Sequence, residues 1–81
     1  MSFETLIKDV GNDIEIIRDG KSISRTKAVR NFEKNMFRVT INTDVIMDDL
    51  IQEIETVQTY RVLEVEIAPN RNHKVIHIQK E

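Results

Sequence analysis

Hydrophobic residues follow a helical period at the start of this 81-residue chain and a period of two over most of the rest. The first pattern predicts a short helix over residues 2–10, in which Ser2 acts as the N-cap. Gly11 is a suitable stop, because glycine accepts the left-handed conformation after a helix end. The helical stripe consists of Phe3, Leu6, Ile7 and Val10.

The next hydrophobic run predicts a β-hairpin. Asp19-Gly20 supplies the two residues that a tight primed turn requires. A β-branched run precedes this turn, and a Ser-Ile-Ser segment returns after it. The residues of the two arms are Ile14, Ile16 and Ile17, then Ser22, Ile23 and Ser24.

Residues 25–41 fit either a helix or two strands. The hydrophobic residues that suit one helix face are Ala28, Val29, Phe32 and Met36. Residues 37–41 instead alternate strictly between apolar and polar side chains, which is typical of a strand. The alternation favours a strand–turn–strand structure, with a first strand at 27–30, a turn at 33–35 and a second strand at 37–41.

Residues 43–57 leave two interpretations open. One is a helix capped by Thr43 or Asp44, because the apolar residues that follow have helical spacing. The other is a turn at 48–49 followed by a strand over 50–55. The apolar residues concerned are Ile46, Met47, Leu50, Ile51, Ile54 and Val57.

The last twenty residues predict an antiparallel pair of strands joined by a loop at 69–72. Glu64 and Glu66 alternate with apolar neighbours and are expected to face water. With one short helix and five or six strands, the sequence predicts a mainly β (α+β) fold in a single domain, residues 1–81. The compact solution is a small antiparallel β-barrel or strongly bent sheet, with the N-terminal helix over an end or a face.

Composition excludes several classes of protein. Hydrophobic residues make up 40% and charged residues 32%, which is ordinary for a globular domain. The chain has no cysteine, so disulfides, thiolate catalysis and cysteine-based zinc sites are excluded. No apolar run approaches the roughly 20 residues needed to cross a bilayer. We expect no membrane association, and a location in the cytoplasm or, for a phage protein, in the virion.

Charged residues are clustered by sign along the chain, although the net charge is only −2. Residues 18–38 contain seven basic and two acidic residues, a net charge of +5. Residues 44–66 contain one basic and seven acidic residues, a net charge of −6. Such asymmetry concerns the partners of a protein more than its fold.

Candidate catalytic and metal-binding patterns are weak. His73 and His77 would share a metal on a helix, but on a strand they lie roughly 13 Å apart. Asp48 and Asp49, with acids nearby, lack a partner histidine and a calcium-loop pattern. The serines near Arg25 lack a nucleophile elbow. The sequence therefore predicts no enzyme, no metal site and no cofactor.

The basic block is the strongest candidate for binding. Its candidate residues are Arg25, Lys27, Arg30, Lys34 and Arg38. Basic residues interleaved with rings, here Phe32 and Phe37, are typical of single-stranded nucleic-acid platforms. A chain with three Phe and one Tyr needs those rings for its core, which leaves phosphate or an acidic protein surface as the partner. The acidic block on the same chain favours the acidic protein surface.

The C-terminal half resembles small connector proteins of tailed phages and prophages, which close the head or join it to the tail. The similarity covers residues 37–79 and rests on Asp49-Leu50-Ile51 and, about ten residues later, on the segment 59–65, Thr-Tyr-Arg-Val-Leu-Glu-Val. Asp48 stands where the connector pattern usually has glycine. The resemblance implies a small β-barrel and a non-enzymatic subunit of a ring between capsid and tail.

Two hypotheses follow. The first is a non-enzymatic structural or assembly protein that docks on protein partners or on its own copies, as in a phage head–tail joining subunit. A subunit with one positive and one negative face can dock head-to-tail into rings or filaments. The alternative is a small nucleic-acid-binding module that uses the basic segment 18–38.

Overall fold

The computed structural model describes residues 3–31 and 33–81, and in this part of the chain one helix precedes six strands. The elements are α1 (Phe3–Val10), β1 (Asn12–Arg18), β2 (Lys21–Asn31), β3 (Met36–Thr40), β4 (Leu50–Glu53), β5 (Thr59–Ile67) and β6 (His73–Lys80). The strands close into an antiparallel barrel with the order β1-β2-β3-β6-β5-β4. This confirms the mainly β prediction and selects the barrel over the open, bent sheet.

The β1–β2 hairpin forms as predicted around Asp19 and Gly20. Both have positive φ, 54° and 77°, as a primed turn requires. The register shifts between Ile16 and Ile17, which leaves Ile23 as the additional residue on β2. Ile16 fills the barrel interior, and strand alternation places Ile17 on the other side of β1.

Residues 25–41 form two strands and a turn, so the preferred interpretation is confirmed. The return arm of the hairpin and the predicted strand at 27–30 belong to one long strand, β2. The turn at 33–35 ends at Asn35, whose φ of 49° is left-handed. Ser2 and Phe32 lie outside the described residues.

The helical interpretation of residues 43–57 is wrong. The segment is a loop over 43–49, the short strand β4 and a turn at 54–56. Asp48 has a φ of 74°, which no α-helix contains. Asp49 is buried, and its carboxylate accepts the Ile46 N–H at 2.9 Å. The same carboxylate accepts two hydrogen bonds from Arg18 on β1, and these contacts override the helical spacing of the apolar residues.

Strands β5 and β6 confirm the predicted C-terminal pair. A bulge between Val62 and Glu64 inserts Leu63 as an additional residue in β5. Val62 therefore fills the core, whereas Leu63 is 45% exposed. Glu64 and Glu66 are both exposed, as expected from the alternation.

The barrel interior is filled by aliphatic side chains and two rings. Phe37 and Tyr60 pack edge to face with their centroids 5.4 Å apart. The buried cluster is Ile14, Ile16, Ala28, Phe37, Val39, Val45, Ile51, Tyr60, Val62, Ile76 and Ile78. Its residues come from all six strands and the β3–β4 loop, so the cluster connects every strand of the closed sheet.

The N-terminal helix packs against β2 and β3 and buries Ile7. It ends at Val10, as predicted, but Gly11 does not adopt the left-handed conformation. A Cβ atom at Gly11 would instead lie 2.2 Å from the Ile7 carbonyl oxygen. Glycine is required here because the backbone approaches so closely. No helix in the described residues has the length and apolar character needed to cross a bilayer.

Candidate functional site

The barrel separates the five basic residues predicted to bind a partner. Arg25 and Lys27 are exposed on the outer side of β2, and Arg38 lies on the outer side of β3. Lys34 is in the β2–β3 turn, and Arg30 occupies an inward-facing position of β2. Strand alternation explains the division, because odd and even positions of β2 face opposite sides.

Arg30 caps the aromatic part of the core. Its guanidinium carbon lies 4.7 Å from the Tyr60 ring centroid and 5.2 Å from that of Phe37. Its Nη2 atom also donates a hydrogen bond of 3.4 Å to the Asn35 side chain. These distances are typical of cation–π contacts, so Arg30 packs on the aromatic rings at the mouth of the barrel.

Acids on β1 oppose the bases on the outer side of β2. Glu15 is directly across from Arg25, and Asp13 is across from Lys27. The Lys27 Nζ and Asp13 Oδ1 atoms are 4.0 Å apart, and both side chains are 48% exposed. Such solvated pairs contribute little to stability, but they reduce the local positive charge.

Arg38 lacks such compensation from its paired strands. Its partners in the register are Val29 on β2 and Val75 on β6. Its Nε atom is buried and makes no hydrogen bond within the described residues. Arg38 lines a groove of about 420 Å³ together with Val29, Asn31 and Glu33. Burial and the nearby Arg38 charge lower the pKa of His73.

Two acids of the acidic block form ion pairs within the molecule. Asp49 accepts hydrogen bonds from Nε and Nη2 of Arg18, both at 2.9 Å, and Asp44 accepts one from the same Nη2 atom at 3.1 Å. Burial tends to raise the pKa of Asp49, but the hydrogen bonds from Arg18 and the Ile46 N–H outweigh it and hold the pKa below its usual value. This pair fixes the β3–β4 loop on the end of β1.

Glu53 is used in the same way at the aromatic end of the core. It accepts a 2.7 Å hydrogen bond from the Tyr60 hydroxyl. Burial, followed by this carboxylate, raises the pKa of Tyr60. The remaining acids of the block are exposed: Asp48, Glu55, Glu64 and Glu66.

The exposed bases and acids of the two blocks form two groups on the outer side of the barrel. In the closed strand order, β2 and β5 are three strands apart in both directions, whereas only β6 separates β3 from β5. Val75 on β6 pairs with Arg38 on one side and with Glu66 on the other. We call Arg25, Lys27 and Arg38 the basic face, and Asp48, Glu64 and Glu66 the acidic face. Glu55 lines a groove with Lys27 and belongs to neither face. Arg61 on β5 does not offset the acidic face, because Glu81 binds it at 2.8 Å.

Exposed hydrophobic residues accompany the acidic face. On β5, Leu63 is 45% exposed and Ile67 is 59% exposed, on either side of Glu64 and Glu66. Ile67 also lines a groove of about 590 Å³ with Ile41, Ala68, Pro69 and Arg71. Apolar side chains next to charges are the usual composition of a protein interface.

Sequence reasoning did not identify Glu64, Glu66 and His77 as a group. The Nε2 atom of His77 lies 3.2 Å from Glu66 Oε1. A ligand atom from each of the three side chains lies within 4.8 Å of the others. The contact joins two strands through a bulge, so no spacing along the chain signals it.

No protein-family model matches this chain, and no curated protein or solved structure is significantly similar to it.

Proposed function

We propose that this protein is a non-enzymatic assembly subunit that docks head-to-tail on its own copies through the basic and acidic faces. The observation that supports this is that the exposed bases of β2 and the exposed acids of β5 lie three strands apart in both directions around a closed barrel. A contact between two different faces of one subunit repeats from copy to copy and produces a ring or a filament. Each face also has apolar residues that the contact can bury.

We further propose a role as a phage or prophage head–tail joining subunit, acting in the virion or in the host cytoplasm before assembly. This part rests on the resemblance of residues 37–79 to connector proteins. Asp48 adds support, because its φ of 74° is a conformation that glycine adopts most easily, and the connector pattern has glycine there. Capsid and tail genes next to the gene for this chain would strengthen the proposal.

Charge reversal tests the docking directly. Lys27→Glu combined with Arg38→Glu makes both faces negative, and Glu64→Lys combined with Glu66→Lys makes both faces positive. We expect sedimentation at low salt to show an oligomer for the wild type and monomers for each variant alone. An equimolar mixture of the two variants should assemble again, because each negative face then meets a positive one.

A matched control changes the same net charge away from both faces. Lys8 and Lys80 are exposed, so Lys8→Glu combined with Lys80→Glu should leave the oligomer intact. High salt should dissociate the wild type, because it screens exposed charges. A wild type that stays monomeric at low salt and high concentration would contradict self-assembly.

The nucleic-acid alternative has less support. Arg30 faces the core rings, and acids oppose Arg25 and Lys27. The rings of Phe37 and Tyr60 are buried and offer no stacking surface. We expect no binding to single- or double-stranded DNA at low salt. Binding whose logarithm falls linearly with the logarithm of salt concentration would favour the alternative.

A further inference from the structure

We propose that Glu64, Glu66 and His77 form a binding site for a divalent metal ion of the zinc class. The cluster lies on the outer side of the β5–β6 pair. One ligand atom from each side chain, a carboxylate oxygen or an imidazole nitrogen, lies within 4.8 Å of the other two. This inference concerns the isolated subunit and does not depend on head-to-tail docking.

The bulge in β5 creates the cluster. Val62 pairs with Ile78, but the next pair of the ladder joins Glu64 to His77, because Leu63 is skipped. Glu64 is thereby placed directly across from His77. Glu66 is two residues further along β5 and shares the face of Glu64. In a strand without the bulge, regular alternation from Val62 would instead turn Glu64 and Glu66 inward. Bulges often re-aim side chains at functional sites.

The imidazole is held in a geometry that suits a metal better than a hydrogen bond. Nε2 of His77 is inaccessible to solvent and forms no hydrogen bond, although Glu66 Oε1 is 3.2 Å away. Two ligands of one tetrahedral zinc ion, at about 2.0–2.2 Å from it, are roughly 3.3–3.6 Å apart. The pair is therefore already near the separation that a shared ion imposes. Glu64 is exposed and can complete the set by rotation of its side chain.

The donor types select the ion. An imidazole nitrogen with two carboxylates is a common donor set for Zn²⁺, whereas Mg²⁺ and Ca²⁺ prefer oxygen donors alone. Three protein ligands on an outer barrel surface leave a coordination position open to solvent. A water molecule or a donor from another protein can occupy that position.

Calorimetric titration with Zn²⁺ tests the site, and Co²⁺ serves as a spectroscopic substitute. We expect one ion per chain. His77→Ala and Glu66→Gln should each lower the affinity by on the order of tenfold or more, because each removes a ligand. His73→Ala is the matched control, since His73 lies on the same strand and the same face as His77. The Zn²⁺ affinity of this variant should equal that of the wild type.

A second measurement applies if His77→Ala does not fold. In the wild type, sub-stoichiometric Co²⁺ should broaden the NMR signals of the His77 ring and of Glu64 and Glu66 before those of His73. Equal loss of affinity on removal of either histidine would overturn the proposal. So would broadening centred on His73, or an affinity for Zn²⁺ that His77→Ala leaves unchanged.

Discussion

At the scale of single residues, Asp49 has the most constrained environment among the charged groups described. Its side chain is 2% exposed and accepts three hydrogen bonds, two from Arg18 and one from the Ile46 N–H. Asp44 binds the same arginine but is 69% exposed. Two acids therefore share one partner in very different surroundings, which makes them a matched pair for mutation.

Asp49→Ala should lower the free energy of unfolding by about 2–3 kcal/mol, because it leaves a buried donor without an acceptor and removes the main partner of Arg18. Asp44→Ala should cost less than about 1 kcal/mol, as expected for an exposed ion pair. Urea denaturation at neutral pH measures both values.

The pH dependence provides the check on this explanation. The pKa of Asp49 is lower in the folded state than its usual value of about 3.9, so its charge stabilises the fold above that pH. The difference between wild type and Asp49→Ala should therefore be constant near neutrality and shrink as the pH falls below about 4. A difference that does not change down to pH 2 would show that the carboxylate charge is not the cause.

At the scale of elements, the N-terminal helix depends on one close backbone contact. The Gly11 N–H donates to the Ile7 carbonyl at 2.9 Å, and a Cβ atom at Gly11 would clash with that oxygen. Gly11→Ala should therefore shift the end of α1, loosen Ile7 and lower the free energy of unfolding by about 2 kcal/mol. Hydrogen exchange should show faster exchange in the α1 amides.

Gly20→Ala is the control for that prediction. Its φ of 77° is strained for alanine, but no atom lies within 4 Å of the new Cβ. We expect a loss of about 1 kcal/mol and faster exchange only near the β1–β2 turn. If Gly11→Ala left the exchange of α1 unchanged, the close contact would not be what holds the helix.

The strands could be predicted from the sequence because their local signals agree with their tertiary environment. Asp19-Gly20 determines the first hairpin, and the alternation at 37–41 determines β3. Residues 43–57 could not be assigned, because the contacts of Asp49 with a distant strand decide their conformation. The bulge at Leu63 has no sequence signature, and the cluster of Glu64, Glu66 and His77 depends on it.

At the scale of the whole molecule, closure of the barrel determines which charged residues of the two blocks stay exposed and where they lie. Strand alternation places Arg30 at the mouth of the barrel. Asp49 and Glu53 accept hydrogen bonds from Arg18 and Tyr60, respectively. The exposed charges that remain are fewer than in the linear blocks. The bases of β2 lie three strands from the acids of β5, whereas only Val75 separates Arg38 from Glu66. The linear count could indicate asymmetry, whereas only the strand order could show which bases and acids lie far apart.

The proposed metal site and the acidic face share Glu64 and Glu66, so the two proposals predict a linkage. A bound Zn²⁺ ion adds two positive charges to the face that attracts the basic face of the next copy. Saturating Zn²⁺ should therefore shift the wild type from oligomer towards monomer in sedimentation at low salt. His77→Ala keeps both acids but loses a ligand, so its oligomer should resist the same Zn²⁺ concentration. Zn²⁺ that strengthened the oligomer would mean that a neighbouring copy completes the coordination, and a response equal in both proteins would place the effect of the ion outside this cluster.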